Sequence, residues 1–552
     1  MPPPSTPNLL VYRDGQRLVR TQALVRQLEV ALWKLRQQPA EDAVIAALLG
    51  AGELECSLSD SDSEDAELAA GITDQLASML CARERSSPSE FGLRKAEQSL
   101  AAINDRRELT VSRPEGFAYY ALHPLDFADL IRRANFAASC AQVIGVRTIG
   151  TTLSAVVAAQ LNACGIPATR TTVRPTGHPY DRKTKFIRRQ RELITQALSA
   201  GAIFLVCDEG PGRSGSSLLS VAEALESAGV THDRIVLLCS HEPDADSLCA
   251  SNAPARWRRY RSLASGMTKR LPQDAGRYLG AGDWREVFTP AGQAWPAAWP
   301  HMERLKFLSR NHRKLYKFEG HGPYGEAVRQ RDQLLAARGF GAPYLGHESG
   351  FGTHAVVSGM PSSMSDISPQ FLRQAAEYCA WRAEAFAVNV PDDGIRQLEH
   401  MAMVNLEQEF GFTPEITLPV ERAAICDGRM QPYEWRHLGD ERWIKLDAST
   451  HGDDHFFPGP TDIAWDLAGI CIEWRLGPAC REFFLTEYQR VSGDNPGGRL
   501  VHYETAYAAF RLAWSQMAAG SVRGTADEGR LQKAVCRYHE ILENIRLSPV
   551  SN

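Results

Sequence analysis

Two carboxylates, Asp208 and Glu209, follow directly on the apolar run 203–207 and open a glycine-rich turn, Gly210-Pro-Gly-Arg-Ser-Gly-Ser-Ser217. Such a run reads as a strand buried on both faces, and the residues after the turn have helical periodicity. A strand, a tight turn and a helix N-terminus aim backbone N–H groups and the positive end of a helix dipole at an anion. Gly210, Gly212 and Gly215 permit positive φ and close approach of a phosphate. Arg213, Ser214, Ser216 and Ser217 add side-chain donors. Asp208 and Glu209, at the strand's C-terminal end, are placed to hold ribose hydroxyls or a substrate-borne metal. No lysine precedes the final serines, so this is not a Walker A loop, and the dinucleotide spacing GxGxxG is absent. An acid-capped strand–turn–helix is the plain alternative.

Two upstream segments share this chemistry. Val143-Ile-Gly-Val-Arg-Thr-Ile-Gly-Thr-Thr152 is another strand–loop–helix, with Arg147, Thr148, Gly150, Thr151 and Thr152 able to cradle an anion. Between the two loops, residues 172–185 carry Arg174, His178, Arg182, Lys183 and Lys185, which give cationic reach. A helix cap and a solvated basic loop are their ordinary readings.

Together these motifs resemble the phosphoribosyltransferase superfamily over about 110–245. The resemblance implies that Asp208 and Glu209 bind the ribose hydroxyls of phosphoribosyl pyrophosphate or a related ribose phosphate. It implies that Ser214, Gly215 and Ser217 bind the 5′-phosphate, that the 147–152 loop binds pyrophosphate, and that Arg174 lies on a mobile loop. Departure of pyrophosphate from ribose C1, with Mg2+ bridging the substrate, is the implied chemistry. The turn is one residue longer than the commonest form.

In the C-terminal half, Leu315-Tyr-Lys-Phe318 reads as a strand with an inward Lys317, followed by a Gly-bearing turn and a helix from Glu326 to Arg338. Farther on come Ala424-Ile-Cys-Asp427, Gln431, Trp443-Ile-Lys-Leu-Asp447 and Asp462-x-x-x-Asp466. This order resembles the aminoglycoside phosphotransferase branch of the protein-kinase-like fold over about 300–475. The resemblance implies Lys317 on nucleotide phosphates with Glu326 as its partner, Asp427 at the acceptor hydroxyl, and Gln431 and Asp447 on metal. An Asp of the 462–466 segment would support the catalytic loop. The family's His-Gly-Asp is here Ile425-Cys426-Asp427, its amide is Gln, and no glycine-rich loop precedes Lys317. The cluster Asp447-x-x-x-His451-Gly-Asp453-Asp454-His455 could alternatively hold a metal alone.

The elements that must position these residues follow from periodicity. Leu24, Val25, Leu28, Leu32 and Leu35 recur at helical steps, with further helices at 46–54 and 72–80 and an acidic run at 57–67. From 142 to 239 strands and helices alternate, which implies a parallel sheet with right-handed crossovers. A polar stretch at 83–90 suggests a boundary. At 552 residues the chain exceeds one ordinary domain. The expected fold class is α/β: a helical N-terminal region over 1–88, a parallel-sheet phosphoribosyltransferase-like domain over 89–290, and a two-lobed α+β kinase-like domain over 291–552.

Hydrophobic content of 44%, charged content of 23% and a net charge of −5 fit a soluble globular protein and argue against a nucleic-acid binder. Neither a signal peptide nor an 18-residue apolar span is present, and the cysteines lack metal-ligand spacing. The expectation is a cytoplasmic bifunctional metabolite enzyme, with phosphoribosyl transfer, ATP-dependent phosphorylation of a small-molecule acceptor, and Mg2+ and ATP. A homo-oligomer is left open. A regulatory or scaffold protein that binds such ligands without turnover is the alternative.

Overall fold

The computed structural model describes residues 9–11, 15–82, 90–390, 392–411, 415–454 and 459–547. The polar boundary stretch at 83–90, save Glu90, lies outside them, as does His455. The chain forms two compact units. One comprises 15–271 with 320–326; the other comprises 1–14, 272–319 and 327–552. The division falls near 271 rather than 290.

In the first unit, β1 (Gln16–Arg20) and β2 (Glu108–Ser112) form an antiparallel ribbon. The main sheet contains β3 (Ala141–Val146), β4 (Ala168–Val173), β5 (Ile203–Cys207), β6 (Ile235–Cys239) and β7 (Arg261–Ala264). All are parallel, in the order β4-β3-β5-β6-β7. The strand order reverses between β3 and β5, where open α/β sheets bind ligands outside their carboxyl ends. Alternating residues serve two cores: Leu205 and Cys207 face one, Phe204 and Val206 the other. β7 lies beyond the 142–239 stretch in which strands and helices were expected to alternate.

The N-terminal helices Thr21–Gln37, Glu41–Asp60 and Ala66–Ala82 are not a separate region. Their Leu28, Leu48 and Leu76 share one core with Leu153 and Val157 of the helix Ile149–Ala163, which packs on the sheet. This continuous burial merges the expected 1–88 region with the parallel sheet. The acidic run begins inside a helix: Ser57 and Leu58 are buried in the last turn before Asp60.

The second unit holds an antiparallel sheet of β8 (Ala275–Tyr278), β9 (Lys306–Ser309), β10 (Lys314–Phe318), β11 (Tyr344–Glu348) and β12 (Phe351–Ala355), in the order β11-β12-β10-β9-β8. A smaller sheet joins β13 (Met360–Pro361), β15 (Trp435–His437) and β16 (Trp443–Lys445). A short ribbon pairs β14 (Ala423–Ala424) with β17 (Thr461–Asp462). Two long helices follow, Pro369–Ala385 and Asp392–Phe410. They share an aromatic-rich core with Ala464–Glu473 and Gly497–Ser521. No described helix is long and apolar enough to cross a membrane.

Candidate functional site

The β9–β10 hairpin sets two lysines side by side. Lys317 faces Lys306 across the antiparallel register, so both project from one face. They converge on one carboxylate. Lys317 Nζ donates to Asp447 Oδ1 at 2.8 Å, and Lys306 Nζ donates to Asp447 Oδ2 at 3.2 Å. Lys317 Nζ also donates to Thr450 Oγ1 at 2.5 Å. Asp447 follows β16 in the left-handed region, φ 55°, a strained backbone for a non-glycine. Burial opposes its ionisation, but the two ammonium groups hold the carboxyl well below the usual range. Burial pulls Lys317 down, while the pull of Asp447 and Glu303 outweighs burial at Lys306 and raises it.

Lys306, Lys317 and Asp447 line a cavity of about 460 Å³, with Gln431, Glu434, Lys445 and His451 among the other lining residues. Asp427 does not line it. Asp427 is fully buried; Tyr378 Oη donates to its Oδ2 at 2.5 Å, and Lys445 Nζ lies 3.3 Å from its Oδ1. Despite burial, Lys445 and His451 keep the carboxyl below its ordinary range. His451 Nδ1 lies 3.4 Å from Asp427 Oδ1, so the imidazole stands between Asp427 and the cavity. Burial depresses the His451 pKa well below that of a free imidazole, so the ring is neutral at pH 7.

Asp466 fixes the loop that carries Asp427. Its two oxygens accept from Asp427 N at 2.8 Å and Gly428 N at 2.9 Å, with Arg382 Nε at 3.8 Å. Asp462, at the end of β17, accepts from Ala464 N in the first turn of the helix Ala464–Glu473 and from Glu421 N and Arg422 N. Gln431 Nε2 donates to Glu473 at 3.5 Å, while its Oε1 is buried without a partner.

Glu326 is not the partner of Lys317. It belongs to the other unit and pairs with Lys34 at 3.3 Å, both half-exposed. The sequence reading also passed over Lys306, Lys445, Glu434 and Tyr378. A signal for Lys306 existed: it and Lys317 are equidistant from the turn at Asn311-His312, as hairpin partners must be.

In the parallel-sheet unit, Asp208 and Glu209 stand at the carboxyl end of β5, beside the strand-order reversal. Burial raises both carboxyls, Asp208 to about 7 and Glu209 to about 8. Asp208 Oδ1 accepts from Glu209 N at 2.8 Å. The helix Ser216–Ser227 starts at Gly215, φ 69°, and Gly212 is also left-handed. Arg213 and Gly212 are exposed, Ser217 is half-buried, and Gly210 packs so tightly that a Cβ would lie 2.8 Å from the His241 ring.

Much of the expected anion cradle is engaged by protein. Ser214 Oγ and Ser216 Oγ donate to Pro179 O at 2.9 and 2.6 Å. Arg147 Nη1 donates to Asp60 Oδ1 at 3.0 Å, and Arg174 Nε to the same oxygen at 3.1 Å. Thr148 Oγ1 accepts from Arg174 Nη1 at 3.1 Å, and Thr151 is fully buried. Gly150 serves packing, since a Cβ there would meet Cys207 O at 2.4 Å.

No family model matches the sequence, and no curated protein does. Among the solved structures it resembles are small-molecule kinases and phosphotransferases. A choline kinase, LicA from Streptococcus pneumoniae, aligns at TM-score 0.32 and 16% identity, over 49% of this chain and 95% of that chain. A choline/ethanolamine kinase family protein from Mesorhizobium loti aligns at 0.28 and 16%, over 47% and 95%. The GDP complex of aminoglycoside 2′-phosphotransferase-IIIa aligns at 0.28 and 13%, over 48% and 95%. At these scores the likeness alone bears neither on fold nor on activity. A phosphoribosyltransferase domain finds no support among these matches.

Proposed function

We propose that the unit containing β8–β12 is a nucleotide-dependent phosphotransferase acting on a small molecule in the cavity beside Asp447. The carrying observation is the Lys306–Asp447–Lys317 clamp on the cavity wall. Phosphoryl transfer needs cations on the phosphates and oxygen ligands for a metal rather than covalent help from the protein. Lys306 and Lys317 supply the cations. Asp447 and the orphaned Gln431 Oε1 are hard oxygen donors of the kind Mg2+ takes. Bound Mg2+ would offset charge on the nucleotide phosphates.

His451 is the group this geometry favours for taking the acceptor's proton. It is neutral, it lines the cavity, and Asp427 holds its Nδ1 side, the arrangement in which a carboxylate orients an imidazole base. Asp427 is then a positioning residue. Choline, ethanolamine and aminoglycosides, after which the similar structures are named, are starting points for an acceptor screen. The test is ADP release from Mg·ATP across such a screen by the full chain. Activity lost in Lys317→Ala supports the proposal; ADP release unchanged in that variant ends it.

A non-catalytic nucleotide-binding scaffold has one observation in its favour: Lys445 lies within ion-pair distance of Asp427 and already neutralises it. Saturable ATP binding without ADP release for any acceptor would select this reading. Phosphoribosyl transfer in the parallel-sheet unit keeps the Asp208–Glu209 pair at the strand-order reversal as its support. The engaged Arg147, Arg174, Ser214 and Ser216 weigh against it. Pyrophosphate release that disappears in Asp208→Asn would restore it.

A further inference from the structure

A second cluster of metal-ligating side chains, two of which, Asp332 and His354, line the same cavity, has no part in the mechanism above. Glu319 directly follows β10, His354 lies on β12, and Asp332 sits on the helix Pro323–Arg338. All three are buried, at 1%, 9% and 9% exposure. One ligand atom from each lies within 4.8 Å of the others. His354 Nε2 is 3.0 Å from Glu319 Oε1 and 4.0 Å from Asp332 Oδ2. Bonds of about 2.0–2.2 Å to one ion place neighbouring ligand atoms roughly 3–3.5 Å apart, and these separations bracket that spacing.

Three independent features point to a ligand. Glu319 Oε2 and Asp332 Oδ2 are buried carboxylate oxygens without a hydrogen-bond partner. No described lysine or arginine forms an ion pair with either carboxylate; His354 is their shared partner. One imidazolium can offset only one of two buried carboxylate charges, and the other is costly in a protein interior. Finally, β12 makes room for the cluster at Gly352, where a Cβ would lie 1.7 Å from Glu319 Oε1.

We propose that Glu319, Asp332 and His354 bind one divalent first-row transition-metal ion of the zinc type, tying β10 and β12 to the helix that carries Asp332. The imidazole selects a borderline ion over Mg2+ or Ca2+, which prefer oxygen-only shells. Two carboxylates and a neutral histidine leave the loaded site without net charge. The role is structural: Glu319 is two residues beyond Lys317, so the ion would fix the strand end that presents the lysine. This site stands whether or not the unit transfers phosphate.

The test is zinc content, by plasma mass spectrometry, of the full chain equilibrated with Zn2+ and desalted. One equivalent is expected in the wild type. Glu319→Gln and Asp332→Asn should each lower retention at least tenfold, while Glu434→Gln leaves it unchanged. Circular dichroism checks folding, and Co2+ loading gives visible bands of a nitrogen- and oxygen-ligated ion that vanish in Asp332→Asn. Zinc retained equally by the variants, or lost in Glu434→Gln instead, overturns the proposal. So does a wild type that retains no zinc, since the carboxyls then share a proton.

Discussion

The chain contains two places where cationic side chains meet a protein carboxylate: one is open, beside a cavity of about 460 Å³, and the other is closed, beside a void of about 20 Å³. Around the loop at 147–152 of the parallel-sheet unit, Arg147 and Arg174 are bound to the protein's own Asp60, and the serines of the 214–216 turn are bound to Pro179. In the other unit, Lys306 and Lys317 converge on Asp447 along a cavity wall. The difference teaches that a motif is a set of donors, and that residues far away in sequence decide whether those donors are available. Asp60 precedes Arg147 by 87 positions.

The largest expected effect lies at the open place. Lys317→Ala should lower nucleotide-dependent phosphorylation about 10²–10³-fold in kcat/KM, the scale of losing one preorganised charge-stabilising donor. Arg147→Ala should leave it within twofold. Equal losses in steady-state assays of both variants would erase the contrast. Next is the carboxylate that holds the Asp427 loop. Asp466→Ala strands two buried amides and Arg382, and urea unfolding should show a loss of about 3–5 kcal/mol.

Asp208 gives a pH-dependent test of the closed place. Its folded carboxyl is raised to about 7 by burial, above an unfolded value near 4. Below about pH 4 the group is protonated in both states and has no effect. As pH rises from about 4 to 7 the unfolded chain ionises first, so stability falls and then levels off above 7. Asp208→Asn should therefore raise the melting midpoint at pH 8, by an amount worth about 2–4 kcal/mol, and leave it unchanged at pH 4. A variant less stable at pH 8 would show that the carboxylate is needed ionised.

The smallest effect is expected at Asp60. Asp60→Asn removes the charge that neutralises Arg147 and Arg174 and should increase inorganic pyrophosphate binding several-fold by calorimetry. No change would mean that geometry, not occupancy by Asp60, closes the loop. Arg147 and Arg174 hold the Asp60 carboxyl below its ordinary value against burial, so its stabilising contribution is present above about pH 4 and lost below it.

Local pattern carried much of the fold. Ile203–Cys207 is a strand over the expected residues and Ile235–Cys239 closes the expected alternation, because continuous apolar runs between turn signals leave little alternative. Leu24, Leu28, Leu32 and Leu35 are the buried stripe of the first helix. β7 escaped notice because Arg261–Ala264 is short and mixed in polarity. Non-local facts were out of reach. Nothing near Asp60 announces its arginines, and nothing near Asp427 announces Lys445 or Tyr378. Asp447 and Lys317 could be named from spacing, but their meeting, and the pairing of Glu326 with Lys34, depends on how strands and helices pack.

The most direct test is calorimetric titration of the full chain with a non-hydrolysable ATP analogue and Mg2+. The account predicts one saturable site, abolished by Lys306→Ala together with Lys317→Ala and retained in Arg147→Ala. Binding that survives loss of both lysines, or disappears with Arg147, would contradict it.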